Sequence, residues 1–110
     1  MVQLCLGSAN FGSKYGFDNK KIDNKKLSNI LNLAFRSKLL SVDTSFEYFK
    51  SHHHLKKVIK KNMIINSKIF FKQRSNFLSV KKKIENFNKN SPSKIYSLLL
   101  HDQKEALNTK

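Results

Sequence analysis

Three side chains that can carry charge or move a proton stand at the ends of apolar runs. Asp43 follows Leu39, Leu40, Ser41 and Val42; Lys68 closes the run that begins at Met63; His101 follows Ile95 to Leu100. Tyr48 comes shortly after Asp43. A carboxylate, an ammonium, an imidazole and a phenol are together equipped for acid, base and electrostatic work on a polar bond. Each also has a plainer role. Asp43 could cap a turn, Lys68 could be one surface lysine among many, His101 could close a strand, and Tyr48 could pack on Phe46 or Phe49. What separates the readings is whether the chain carries all four to one place.

The elements that must do so are visible as short apolar runs alternating with helical spacing, the pattern of strand and helix units around a parallel sheet. Val2 to Leu6 is the first expected strand, followed by a loop from Gly7 to Gly12 whose glycines let backbone approach a ligand. Asp23 or Asn24 can cap a helix with Leu27, Ile30, Leu31, Leu33 and Ala34 clustered, ending near Ser37. The run Leu39 to Val42 predicts a second strand, and Ser51 can cap a short helix with Leu55, Val58 and Ile59 inward. Met63 to Asn66 predicts a third strand ending near Lys68. A third helix from Asn76 to Asn88 is expected to turn Phe77, Leu78, Ile84 and Phe87 to a core and Lys81, Lys82 and Lys83 to water. Ile95 to Leu100 is the strongest strand. In parallel α/β sheets chemistry sits at the carboxyl ends of the strands, so Asp43, Tyr48, Lys68 and His101 are expected at one mouth.

Length and composition bound the rest. The 110 residues hold one compact unit, and 39% hydrophobic against 26% charged residues is enough apolar material for a core. No apolar run approaches a membrane span and no secretory leader pattern is present, which reads as a cytoplasmic protein. The lone Cys5 cannot form an internal disulfide or by itself a zinc site, and is expected to be a small buried hydrophobe. Twenty-two basic against 7 acidic residues give a net charge of +15. Only Arg36 and Arg74 are arginine. Lysine, asparagine, isoleucine and phenylalanine are the residues of A- and T-rich codons, so base composition accounts for the charge, and the lysines read as a solvated surface without specific nucleic-acid recognition. His52, His53 and His54 are read as a solvated helix start, because adjacent helical residues point in different directions.

The sequence resembles the amino-terminal half of an aldo-keto reductase. The resemblance rests on Leu6-Gly7-Ser8-Ala9-Asn10-Phe11-Gly12 with Tyr15-Gly16, Val42-Asp43-Thr44-Ser45 with Tyr48, Asn66-Ser67-Lys68, and Ser97-Leu98-Leu99-Leu100-His101, in family order across nearly the whole chain. It implies the first four βα units of a (β/α)8 barrel, one partial NADP-dependent oxidoreductase domain over residues 1–110. It also implies a catalytic tetrad of Asp43, Tyr48, Lys68 and His101. In that tetrad Tyr48 donates the proton to a carbonyl oxygen as hydride arrives, Lys68 favours its phenolate, Asp43 holds Lys68 and His101 orients the substrate. Backbone at Gly7, Ser8 and Ala9 is implied beside the nicotinamide of NADPH. The substrate would be an aldehyde or ketone, a sugar among them.

Departures from the family pattern cluster at glycines: Lys38, Phe49 and Lys56 stand where it has Gly, and His52 where an acidic residue is common. A full barrel takes about 250 residues, so four units imply inactivity alone, two open sheet edges and an uncovered apolar inner face. Two other readings follow. One is a non-catalytic half-barrel that pairs with a copy of itself or with a separate second half. The other is a basic polyanion-binding module, marked by tight binding with a steep salt dependence.

Overall fold

A computed structural model describes residues 4–14, 20–48, 50–70 and 76–102. Met1 to Gln3, Tyr15, Gly16 and Phe49 lie outside the described residues. The elements alternate: β1 (Cys5–Gly7), α1 (Asn24–Arg36), β2 (Ser41–Asp43), α2 (Ser51–Val58), β3 (Ile64–Ile69), α3 (Phe77–Lys89) and β4 (Ile95–Leu100). The four strands pair in chain order and all in parallel, β1-β2-β3-β4. Gly7 thus belongs to a strand rather than to the loop after it, and Lys68 lies inside β3, one residue before its end.

Helix α1 is closed by local chemistry at both ends. Asp23 accepts a hydrogen bond from the Lys26 amide at 2.8 Å, and at the other end Lys38 takes φ 59°. Its amide reaches the Phe35 carbonyl and the Leu39 amide reaches that of Ala34, the paired bonds of a Schellman stop. This is the geometry that a glycine usually fills, so the family's Gly position here is a left-handed lysine. Lys56, by contrast, is an ordinary residue of α2 and lacks positive φ. Asn76 caps α3 by accepting from the Ser79 amide. Helix α2 begins differently from the expectation: Lys50, at φ 62°, precedes it without a side-chain cap, and Ser51 is its first turn. The Ser51 hydroxyl points across the fold instead of back along the helix.

The core lies between the sheet and the helices. Leu6, Val42 and Ile65 share one register row, and Val42 and Ile65 are fully buried with Leu27, Leu31, Leu55, Ile59, Met63 and Phe87. Leu33, Phe77 and Leu78, expected in the core, are exposed. Leu33 is 68% exposed, because it stands two residues, some 200° of helical turn, from Leu31 on the buried stripe. Phe77 and Leu78 are 75% and 63% exposed. The inward stripe of α3 runs through Val80, Ile84 and Phe87; Phe77 continues it one turn past its covered end, and Leu78 lies off it.

Strand alternation sends Cys5, Gly7, Ser41, Asp43, Asn66 and Lys68 to the opposite, concave face. Cys5 is therefore exposed, not buried. Nor is this face simply apolar. Cys5 Sγ meets Ser41 Oγ at 3.3 Å, Asn66 Nδ2 donates to Ser41 Oγ at 3.0 Å, and Ser97 Oγ donates to Asn66 Oδ1 at 2.6 Å. A chain of polar contacts crosses all four strands, with Ile64 and Leu99 exposed beside it.

Among the described residues, Gly12 is the glycine that the packing requires. It has φ 72°, and a Cβ there would come within 2.0 Å of His54 Cδ2. Gly12→Ala is expected to lower stability by about 2 kcal/mol, from left-handed strain plus displacement of the His54 ring from its Asn24 partner. A urea melt of the two proteins measures it. A shift within error would show that the first βα loop moves aside freely.

Candidate active site

The site is assembled at the carboxyl ends of β2, β3 and β4. The carboxylate of Asp43, the last residue of β2, receives the Lys68 ammonium at 2.5 Å on each oxygen. The two side chains are only partly covered, 34% and 23% exposed, so the pair faces the concave side within reach of a ligand. Past β4, His101 is anchored by its own amide to the Ile69 carbonyl. Its ring stacks on Phe70 with centroids 4.4 Å apart and meets Tyr48 edge-on at 5.8 Å. Tyr48 is placed by a tight turn in which its amide reaches the Ser45 carbonyl.

Two pairs, Asp43 with Lys68 and Tyr48 with His101, are thus brought to one end of the sheet. They are joined through Ser45. Its buried hydroxyl contacts the Lys68 carbonyl at 3.2 Å and His101 Nδ1 at 2.9 Å, and it accepts from the Glu47 amide at 3.1 Å. Backbone bonds from Thr44 to Asn66 and from Phe46 to Lys68 carry the ladder one step beyond β2 and hold that loop. Replacing Lys68 by Met leaves the Asp43 carboxylate without its cation. Because both groups are partly wet, the expected cost is about 1 to 2 kcal/mol rather than that of a fully buried pair, measured by denaturant unfolding at neutral pH.

The first loop contributes unequally. Nothing lies within 4 Å of the position a Cβ would take on Gly7, and Gly7 is in register with Asp43, so bare backbone borders open space beside the ion pair. Ser8 is wholly buried. Its amide bonds the Asp43 carbonyl, and its own carbonyl serves the Phe11 amide and the Ser51 hydroxyl. Ser8 is consequently a tie beneath the site, sharing a hydroxyl cluster with Ser51 at 3.0 Å, which Thr44 joins at 3.3 Å. Ala9 is half-buried in the turn that follows.

His52 departs from the solvated helix start expected of the three-histidine run. Its ring sits between Phe46 and Phe87, with centroids 4.3 and 4.7 Å away, and Nε2 meets Ser67 Oγ at 3.2 Å. Burial first, and the Lys56 charge second, lower its pKa to about 4. His53 is exposed, and His54 turns to Asn24 and Gly12 with its ring edge-on to that of His53 at 5.7 Å, so His52 is the one of the three that turns inward. His52 instead fastens α2 to α3 and to the loop carrying Tyr48. Ser45 and His52 are the residues that sequence reasoning passed over. Ser45 stood in the quoted Val42-Asp43-Thr44-Ser45 run, but only as part of a pattern.

Neither a scan of protein-family models nor a search of curated proteins gave a match. Among solved structures the chain is similar to a putative aldo-keto reductase from Pseudomonas aeruginosa, with a TM-score of 0.75 and 21% identity. The match covers 98% of this chain and 47% of that one. The chain spans about half the length of the protein it resembles. Four parallel strands with intervening helices give it an α/β fold that matches the first half of an aldo-keto reductase barrel.

Proposed function

We propose that this chain supplies the acid–base half of an aldo-keto reductase-type oxidoreductase that reduces an aldehyde or ketone with NADPH. The observation that carries the reading is the doubly hydrogen-bonded Asp43–Lys68 pair at the same strand ends as the Tyr48–His101 contact. The bare backbone at Gly7 would hold a reduced nicotinamide, which would supply hydride to the carbonyl carbon. The oxygen then gains negative charge, and the Lys68 ammonium, fixed by Asp43, is placed to stabilise it. Tyr48 gives its phenolic proton to that oxygen, completing the alcohol, while His101 orients the carbonyl.

The resemblance implies that the far end of a dinucleotide is held by later units, so the proposed reaction is one of a completed barrel. The edge strands are where further units would pair: Leu4 beside β1 and Tyr96, Leu99 and Leu100 of β4 are exposed. The test joins the chain to the carboxyl-terminal half of the structurally similar Pseudomonas aeruginosa protein and follows NADPH consumption with a panel of small aldehydes. The hybrid is expected to turn over and the chain alone to be inert. A folded hybrid that binds NADPH yet consumes none with any aldehyde would falsify the reading. Sedimentation of the chain alone separates the alternative, in which a discrete dimer forms and itself binds the cofactor.

A further inference from the structure

We infer that Ser51 is a positioning residue: its amide and its hydroxyl together fix the loop carrying Tyr48 against the backbone that follows Gly7. The amide donates to the Tyr48 carbonyl at 3.0 Å, and the hydroxyl donates to the Ser8 carbonyl at 2.9 Å. The Ser8 amide in turn donates to the Asp43 carbonyl at 3.0 Å. Ser8 therefore bonds both ends of the segment from Asp43 to Ser51, and closes it into a ring that includes Tyr48. Both backbone groups of the residue next to Gly7 are engaged by the segment that carries the carboxylate and the phenol.

A serine at the start of a helix ordinarily serves that helix's own free amides. Here Lys50, at φ 62°, precedes α2 without a side-chain cap, and the hydroxyl of Ser51 reaches the first loop instead. The same oxygen lies 3.0 Å from Ser8 Oγ and 3.3 Å from Thr44 Oγ1. Ser8, Thr44 and Ser51 are all fully buried, so water does not stand in for these contacts. The Phe11 amide shares the Ser8 carbonyl, and that oxygen stays bonded without Ser51. What the Ser51 hydroxyl adds is the link from the first loop to the second. Alanine at this position keeps the bond to Tyr48 and loses the bond to Ser8, which frees one loop to slide on the other.

The chemical consequence rests on the carbonyl-reducing reading above, in which the Gly7 backbone would hold a reduced nicotinamide. Hydride and proton must then reach the two atoms of one carbonyl, the first from the Gly7 side and the second from Tyr48. The bridge from Ser8 through Ser51 to Tyr48 sets that separation with two hydrogen bonds and one residue. Ser51 thus acts through Gly7 and Tyr48, without touching substrate. Loosening it leaves both groups present but misplaced, which lowers turnover more than binding.

The tie itself is tested without any turnover, on the full chain labelled with nitrogen-15. In the wild type the Ser51 hydroxyl proton should exchange slowly with water and show a nuclear Overhauser contact to the Phe11 amide proton, since both hydrogens approach one carbonyl. A Ser51 hydroxyl in fast exchange overturns the inference even if no variant folds. Ser51→Ala is then compared with Thr44→Val, which removes a hydroxyl from the same cluster but leaves the bond to Ser8. Amide exchange is scaled in each to the His101 amide, which bonds Ile69 away from the cluster. The Ser8 and Phe11 amides should exchange about fivefold to tenfold faster in Ser51→Ala than in Thr44→Val, in line with the loss of one internal hydrogen bond. Equal rates in the two folded variants overturn the inference. In the hybrid reductase, Ser51→Ala should lower kcat about 10- to 100-fold, as a displacement of about 1 Å does, with NADPH affinity preserved; an unchanged kcat removes the positioning role. A hybrid that is inert with Ser51 in place overturns the reductase reading and leaves the exchange rates as they are, so the two fall separately.

Discussion

Tyr48→Phe is expected to cut carbonyl reduction by the completed barrel about 10²- to 10⁴-fold, the range for loss of one positioned general acid. That is about 3 to 5 kcal/mol of transition-state stabilisation. The phenyl ring retains the edge-on contact with His101, so folding and NADPH binding should be unaffected and the loss should fall on kcat. The measurement is single-turnover reduction at saturating NADPH, with binding followed separately by fluorescence. A variant that retains more than about a tenth of the rate, well inside the lower limit for general-acid loss, would remove Tyr48 from the role of proton donor.

Acid is expected to destabilise the fold through His52, before carboxylate titration dominates. Above pH 6.5 the ring is neutral in the folded and unfolded chain, and it contributes nothing to pH dependence. Below that value the unfolded ring takes up a proton that the folded ring, held at a pKa of about 4 between Phe46 and Phe87, refuses. Stability therefore falls as pH drops from 6.5 toward 4 and levels off below it, by about 3 kcal/mol in all. His52→Gln retains a donor for Ser67 but cannot titrate, so the difference between the two urea-melt profiles isolates this residue. Parallel profiles across that window would show that water reaches the ring. Because His52 braces the loop that carries Tyr48, the same acid step should loosen the site before the rest of the sheet.

The alternation of strand and helix was legible in the sequence, because apolar periodicity is a local property. A cap at Asp23 or Asn24, the end of the first helix near Ser37, and the burial of Leu27, Leu31, Leu55 and Phe87 all follow from neighbours within a turn or two. So does the placement of Asp43 and Lys68 at or near strand ends, since two apolar runs of a parallel sheet bring their termini to one side. Helix phase also explains the misplaced residues: Leu33 and Leu78 are apolar but lie off the stripe that faces the sheet. Cys5 and the polar concave face required knowing which side of each strand the helices cover. The bare runs do not reveal that side when neither Cys5 nor Ser41 is strongly polar.

What tertiary structure alone decided is who touches whom across the fold. Ser45 meets His101 and Ser51 meets Ser8 only after β2 is laid between β1 and β3. His52 looked like the start of a wet helix, and its burial depends on Phe87 arriving from α3. A hydroxyl or an imidazole has no preferred partner written in its neighbours; a hydrogen bond is short and directional, so its partner is set by the few tenths of an ångström that packing determines. The residue types and their order along the chain specify which groups reach the mouth of the sheet. The close packing of strands and helices specifies which nitrogen, which oxygen and which ring face one another there.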